Sequence, residues 1–229
     1  MVTRRSLIRA VGLVGIAGLA GCTARGDDPL PDGGDDGDGT GSAPTDREVP
    51  PDATHRVSVT AQDDPPELPV TPRVSVADPF ATGGSPPVLR VDVDNTSDAP
   101  VVLGEYRAVV FQYVSDGEAL ILLPHSERST SGDPDRATPD YGVEGEGCWR
   151  LTDRIAVTQE YGTVELPAGG TLTAYVGLYG LPDAGDCLPT GDHRFGTTYS
   201  YYPDGLDGDG REDATWGFSL AVDTVEDRA

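Results

Sequence analysis

From His55 onward, apolar residues recur at every second position, and no window carries a sustained apolar stripe of period 3.6. Val57 and Val59 alternate with Arg56, Ser58 and Thr60, and Val74 and Val76 with Arg73 and Ser75. Leu89, Val91 and Val93 alternate with Arg90, Asp92 and Asp94. Leu172, Ala174, Val176 and Leu178 repeat the pattern, and so do Trp216, Phe218, Leu220 and Val222. A strand sends successive side chains to opposite faces, so each run reads as a half-buried strand. The expected class is all-β with little helix.

Turn signals support that class. Asn95-Thr96-Ser97-Asp98 separates two strand runs. Asp116-Gly117 lies between Val109–Val114 and Ala119–Leu123, a hairpin signal. Pro167-Ala168-Gly169-Gly170 separates Thr163–Leu166 from Thr171–Tyr179. Breaks every ten or so residues predict a single antiparallel sandwich of about nine to ten strands over residues 54–229. The strand before the Asn-Thr-Ser turn and the later Leu-Pro-Ala-Gly-Gly-Thr and Pro-Thr-Gly-Asp-His-Arg-Phe segments resemble an immunoglobulin-like or fibronectin-like sandwich between Val88 and Val222.

The N-terminus reads differently. Thr3-Arg4-Arg5-Ser6-Leu7-Ile8 resembles a twin-arginine export signal, with Arg4 and Arg5 as its pair. The apolar run Ala10 to Ala20 spans about 16 Å as a helix, too short for a hydrocarbon core of roughly 30 Å. It fits the apolar region of a signal peptide over residues 1–21. Leu19-Ala20-Gly21-Cys22 is similar to the lipobox of exported lipoproteins. That resemblance implies lipid on Cys22 and anchoring to the outer face of the cell membrane.

Residues 22–53 form the expected tether. Between Thr23 and Ala53 only Ala24, Leu30, Ala43, Val49 and Ala53 are apolar, which cannot offset the entropy of ordering the backbone. Its aspartates read as a solvated spacer, since calcium needs six to eight fixed oxygens.

Charge narrows the setting. The chain carries 39 acidic and 16 basic residues, a net charge of −23, and every base is arginine. Loss of the first 21 residues removes three arginines and no acid, leaving about −26. This field repels nucleic acid, so no nucleic-acid partner is expected. An acidic disordered protein is one reading. A protein of molar salt is the other, because there the Debye length is roughly 3 Å and dense carboxylates hardly repel. The absence of lysine and the spread of acids through strand-like segments favour the second. In this respect the chain resembles exported proteins of haloarchaea.

Two further cysteines, Cys148 and Cys187, lie in the exported part and are expected to form a disulfide. A metal pair is the alternative, but no His or Cys stands at ligand spacing beside either. Asn95 opens an Asn-Thr-Ser sequon in an expected exposed turn and is a candidate glycosylation site. Residues 124–147 read as a long polar, strandless loop and the first place to seek a binding surface.

Catalytic signals are sparse. His55, His125 and His193 are far apart, no Cys-x-x-Cys occurs, and a phosphate loop ending in lysine is impossible. No catalytic residue, metal or cofactor is expected. Asp204 to Asp213 departs from an EF-hand, placing Gly205 and Trp216 where acids are required. Tyr199, Tyr201 and Tyr202 beside these acids offer sugar or cation recognition, against ordinary strand use. The expected function is a lipid-anchored extracellular binding or interaction module with an envelope partner. One alternative is a protease-inhibitor-like sandwich: the strand, Asn-x-Ser turn and later Pro-Ala-Gly-Gly turn resemble the intracellular proteinase-inhibitor domain of bacilli. The other is a small secreted enzyme.

Overall fold

The structure, a computed structural model, describes residues 48–125, 141–145, 147–157, 161–206, 208 and 210–225. One sheet contains β1 (His55–Gln62), β3 (Phe80–Ala81), β5 (Val101–Gly104), β10 (Thr163–Leu166), β12 (Gly191–Tyr201) and β13 (Glu212–Thr224). Its order is β10-β5-β12-β13-β1-β3. The other runs β2 (Val70–Asp78), β4 (Val88–Asn95), β11 (Thr171–Gly180), β7 (Leu120–Pro124) and β6 (Val114–Ser115). The hairpin of β8 (Val143–Gly145) and β9 (Cys148–Leu151) joins this sheet through one parallel pairing, Arg150 with Gly180. The protein is an all-β sandwich. Its described strands number thirteen rather than nine or ten because several are only two to four residues long, and periodicity cannot register pieces that short.

Alternation places the core. Val74, Val91 and Ala174 form one inward row across β2, β4 and β11, and Val76, Leu89 and Val176 the next. Trp216, Phe218, Leu220 and Val222 face them from β13. The outward partners are polar: Arg73 bonds Asp94 at 2.5 Å, and Thr171 donates to Asp94 at 2.6 Å.

Two predicted segments differ. The strand expected at Val109–Val114 is a short helix, α1 (Tyr106–Val109), followed by Phe111 and Tyr113 in the left-handed region at φ 58° and 61°. Both aromatics gain partners from this backbone. Phe111 enters the main core, with its ring 5.0 Å from Phe218 and 5.8 Å from Trp216, while Tyr113 packs against the smaller cluster under the β8–β9 hairpin. The Tyr199 hydroxyl donates to the Val109 carbonyl at 3.1 Å and holds the helix end. The second difference is β8, which falls inside the segment expected to be strandless.

The tether's expected end also folds. Ala53 N–H bonds the Pro50 carbonyl at 3.1 Å, and Asp52 accepts from Gly83 N–H at 3.1 Å. Arg4, Arg5, Cys22 and the bulk of the tether lie outside the described residues.

Candidate functional site

One end of the β10-β5-β12-β13 sheet carries an aromatic shelf. Gly104, Ser200 and Asp213 stand side by side on β5, β12 and β13. The phenol end of Tyr161, two residues before β10, rests on Gly104. A Cβ there would lie 2.3 Å from the Tyr161 hydroxyl oxygen and 2.8 Å from Cε1 and Cζ, so glycine makes the seat. The Tyr161 hydroxyl bonds that of Tyr202 at 2.7 Å. Ser200 is buried at 4% exposure and donates to Asp213 Oδ1 at 2.7 Å, and Arg211 Nε donates to the same oxygen at 2.9 Å. Tyr161 nevertheless remains 52% exposed. Burial and the Tyr202 hydroxyl raise the Tyr161 phenol above its ordinary range, against opposing effects of Ser200 and Arg211. The Arg211 and Ser200 hydrogen bonds hold the Asp213 carboxyl low.

A second polar group is buried between the sheets. His193 faces inward from β12, and its Nδ1 lies 2.8 Å from Asp116 Oδ2 in the β6–β7 turn. Their side chains are 9% and 3% exposed. His193 Nε2 lies 3.0 Å from the Pro189 carbonyl. Both ring nitrogens therefore meet protein acceptors, and neither is directed at a serine or cysteine. Asp116 Oδ1 accepts the N–H groups of Glu118, Ala119 and Leu120, each at 2.9 Å. Burial alone would raise the Asp116 carboxyl. The three backbone donors and His193 outweigh it and leave the group below its usual range.

The β8–β9 hairpin covers a satellite core of Leu123, Leu151 and Tyr179 on the outer side of the second sheet. The Cys148–Cys187 disulfide ties it to the loop after β11, with Cα atoms 4.9 Å apart. Arg150 donates to the Ala184 and Gly185 carbonyls at 2.7 Å each and pairs with Glu144. Trp149 packs on Tyr179 at 5.9 Å, and its indole N–H reaches the Thr82 carbonyl at 2.9 Å. A cavity of about 150 Å³ beside Tyr141, Leu151 and Ile155 is smaller than the roughly 300 Å³ at which ligand pockets begin.

Comparison with known proteins yields no family. No family model matches the chain, and neither a curated protein nor a solved structure resembles it significantly.

The expected site residues fall apart in space. Cys148 and Cys187 form the disulfide. Asn95, expected as an exposed sugar acceptor, is buried at 3% exposure. Its Nδ2 faces the carbonyls of Ala99, Leu166 and Pro167 at 2.8, 3.2 and 2.9 Å. Its Oδ1 takes the Ser97 N–H at 2.9 Å. Asn95 thus joins the β4–β5 and β10–β11 corners, where the chain passes between sheets, and it offers no free amide to a glycan. Of the three tyrosines, Tyr199 is core, Tyr201 packs against the core and Tyr202 belongs to the shelf. Residues 126–140 of the expected binding loop and residues 207 and 209 of the acidic loop lie outside the described residues. Among the described residues no group of three or more acids, histidines or cysteines is arranged to hold a metal. Sequence reasoning missed Tyr161 and Gly104. Tyr161 adjoins a four-residue strand, and no local pattern links it to a tyrosine 41 positions away.

Proposed function

We propose that this chain is an exported binding module held by lipid on Cys22 to the outer face of the membrane of a salt-adapted cell. The Cys148–Cys187 disulfide carries the reading. Disulfides persist in oxidising compartments outside the cytoplasm. With those two cysteines paired, Cys22 is the third, and it stands at the end of Leu19-Ala20-Gly21-Cys22. The compact fold beyond the acidic tether is then the part offered to a partner.

The distribution of polar contacts suits molar salt. Arg73–Asp94, Arg154–Asp183 and Arg194–Asp63 are exposed pairs. Such pairs contribute about 0 to 1 kcal/mol each and are screened by salt. The polar ties that join the sheets, Asn95 and Asp116–His193, are buried and screened far less.

Cys22→Ser tests the anchor. In a haloarchaeal host at molar salt, the wild-type chain is expected in the membrane fraction and released only by detergent. The variant is expected in the medium. Retention of the processed variant in the membrane would defeat the reading.

A further inference from the structure

We propose that the Tyr161–Tyr202 shelf binds the sugar ring of a neutral extracellular polysaccharide. The inference rests on the reading of the domain as a surface binding module and names its ligand class. Tyr161, Val157 and Leu206 are the large apolar side chains most exposed among the described residues, and Leu206 follows directly on the Tyr202–Gly205 turn. An aromatic ring gains by burial, and folding has left half of this one in water.

The ring is nevertheless positioned. Gly104 seats its phenol end, and Tyr202 takes its hydroxyl at 2.7 Å. A rigid aromatic with few rotatable bonds loses little entropy on binding. Around it stand groups of both hydrogen-bonding kinds: the Arg211 guanidinium donates, the Asp213 carboxylate accepts, and the two phenols do either. A hexopyranose matches this arrangement, with one face of C–H groups for the ring and a rim of hydroxyls for its surroundings.

Charge selects among ligands. A cation on the tyrosine face would meet Arg211, which already acts electrostatically on Tyr161. A polyanion, whether nucleic acid or acidic glycan, would have to bring its charges against the exposed Asp213 carboxylate, at a contact range that even a Debye length of roughly 3 Å does not screen. A neutral ring meets neither penalty. One shelf holding one ring is weak, and a polymer crossing many tethered copies gains by multivalency.

The test uses the mature full chain, purified in detergent at molar KCl, against surfaces bearing galactomannan, xyloglucan, dextran or alginate. Saturable binding to a neutral polymer and none to alginate is expected. Tyr161→Ala is expected to weaken binding about ten-fold or more, on the scale of aromatic stacking. Gly104→Ala keeps the tyrosine but moves it off its seat, and the same loss is expected. Thermal melts identical to wild type assign either loss to the shelf, and if one variant misfolds the other is decisive. Absence of binding to all three neutral polymers would overturn the proposal. So would undiminished binding by Tyr161→Ala, or competition by tetramethylammonium. Membrane partition of the same preparation is read separately, so a failed shelf is distinguishable from a failed anchor.

Discussion

Asp116→Ala removes a buried polar junction between the sheets. The carboxylate takes four hydrogen bonds, three from backbone N–H groups at 2.9 Å and one from His193 at 2.8 Å, with the side chain 3% exposed. Water can recover the Glu118 N–H, which is exposed, but Ala119, Leu120 and the His193 ring lose a buried partner. Leaving a buried donor without its acceptor costs about 1 to 3 kcal/mol, so the three together cost roughly 3 to 5 kcal/mol. At about 2 to 4 °C per kcal/mol for a domain of this size, Tm falls by roughly 10 °C. Asp116→Asn keeps a carbonyl oxygen for the turn and is expected to lose less. Thermal and urea melts in molar KCl measure both. Arg194→Ala, which breaks an exposed pair with Asp63, is the control and should cost about 0.5 kcal/mol or less. The Asp116 carboxyl is held low in the folded state, so its contribution is full above the unfolded value of about 3.9. It is lost as pH falls through the lower folded value, and Asp116→Asn should lack that part of the acid transition. A midpoint for Asp116→Ala within error of the Arg194→Ala control would refute the argument.

Three other outcomes follow from the geometry. Asn95→Asp turns a donor facing three carbonyls into an acceptor and should cost about 3 kcal/mol or more in a urea melt, while glycopeptide mapping should find wild-type Asn95 unmodified. Replacing both Cys148 and Cys187 by serine should lower stability by about 4 kcal/mol in the chain-entropy account, and hydrogen exchange should show the β8–β9 hairpin opening first. Gly217→Ala would place a Cβ 2.2 Å from the Phe195 carbonyl oxygen and 2.9 Å from the Gly196 Cα, both backbone atoms, so the variant should fail to accumulate as folded protein.

The long strands were legible because their signal is local. β2, β4, β11 and β13 are each eight residues or longer, and each contains the run where alternation is read. Phe111 and Tyr113 show where that signal ends. Their left-handed backbone answers to two separate cores, and an apolar run cannot encode which core each side chain enters. Asn95 was misread for a related reason. A sequon in a turn looks solvent-facing until a second corner, 71 residues away, supplies carbonyls to its amide. The disulfide was legible because cysteine is rare here. The shelf was half legible: Tyr202 stood out beside acids, but its partner Tyr161 and the glycine beneath it join it only through the pairing of β5 with β10 on one side and β12 on the other.

The reading of the chain as an exported, lipid-anchored module is tested most directly by the mass of its N-terminal peptide. Peptides from wild-type protein made in a haloarchaeal host, extracted with detergent and cleaved after Arg25, should begin at Cys22 and carry the added mass of a lipid. A peptide that begins at Met1 or Val2, or one that begins at Cys22 with an unmodified thiol, would contradict it.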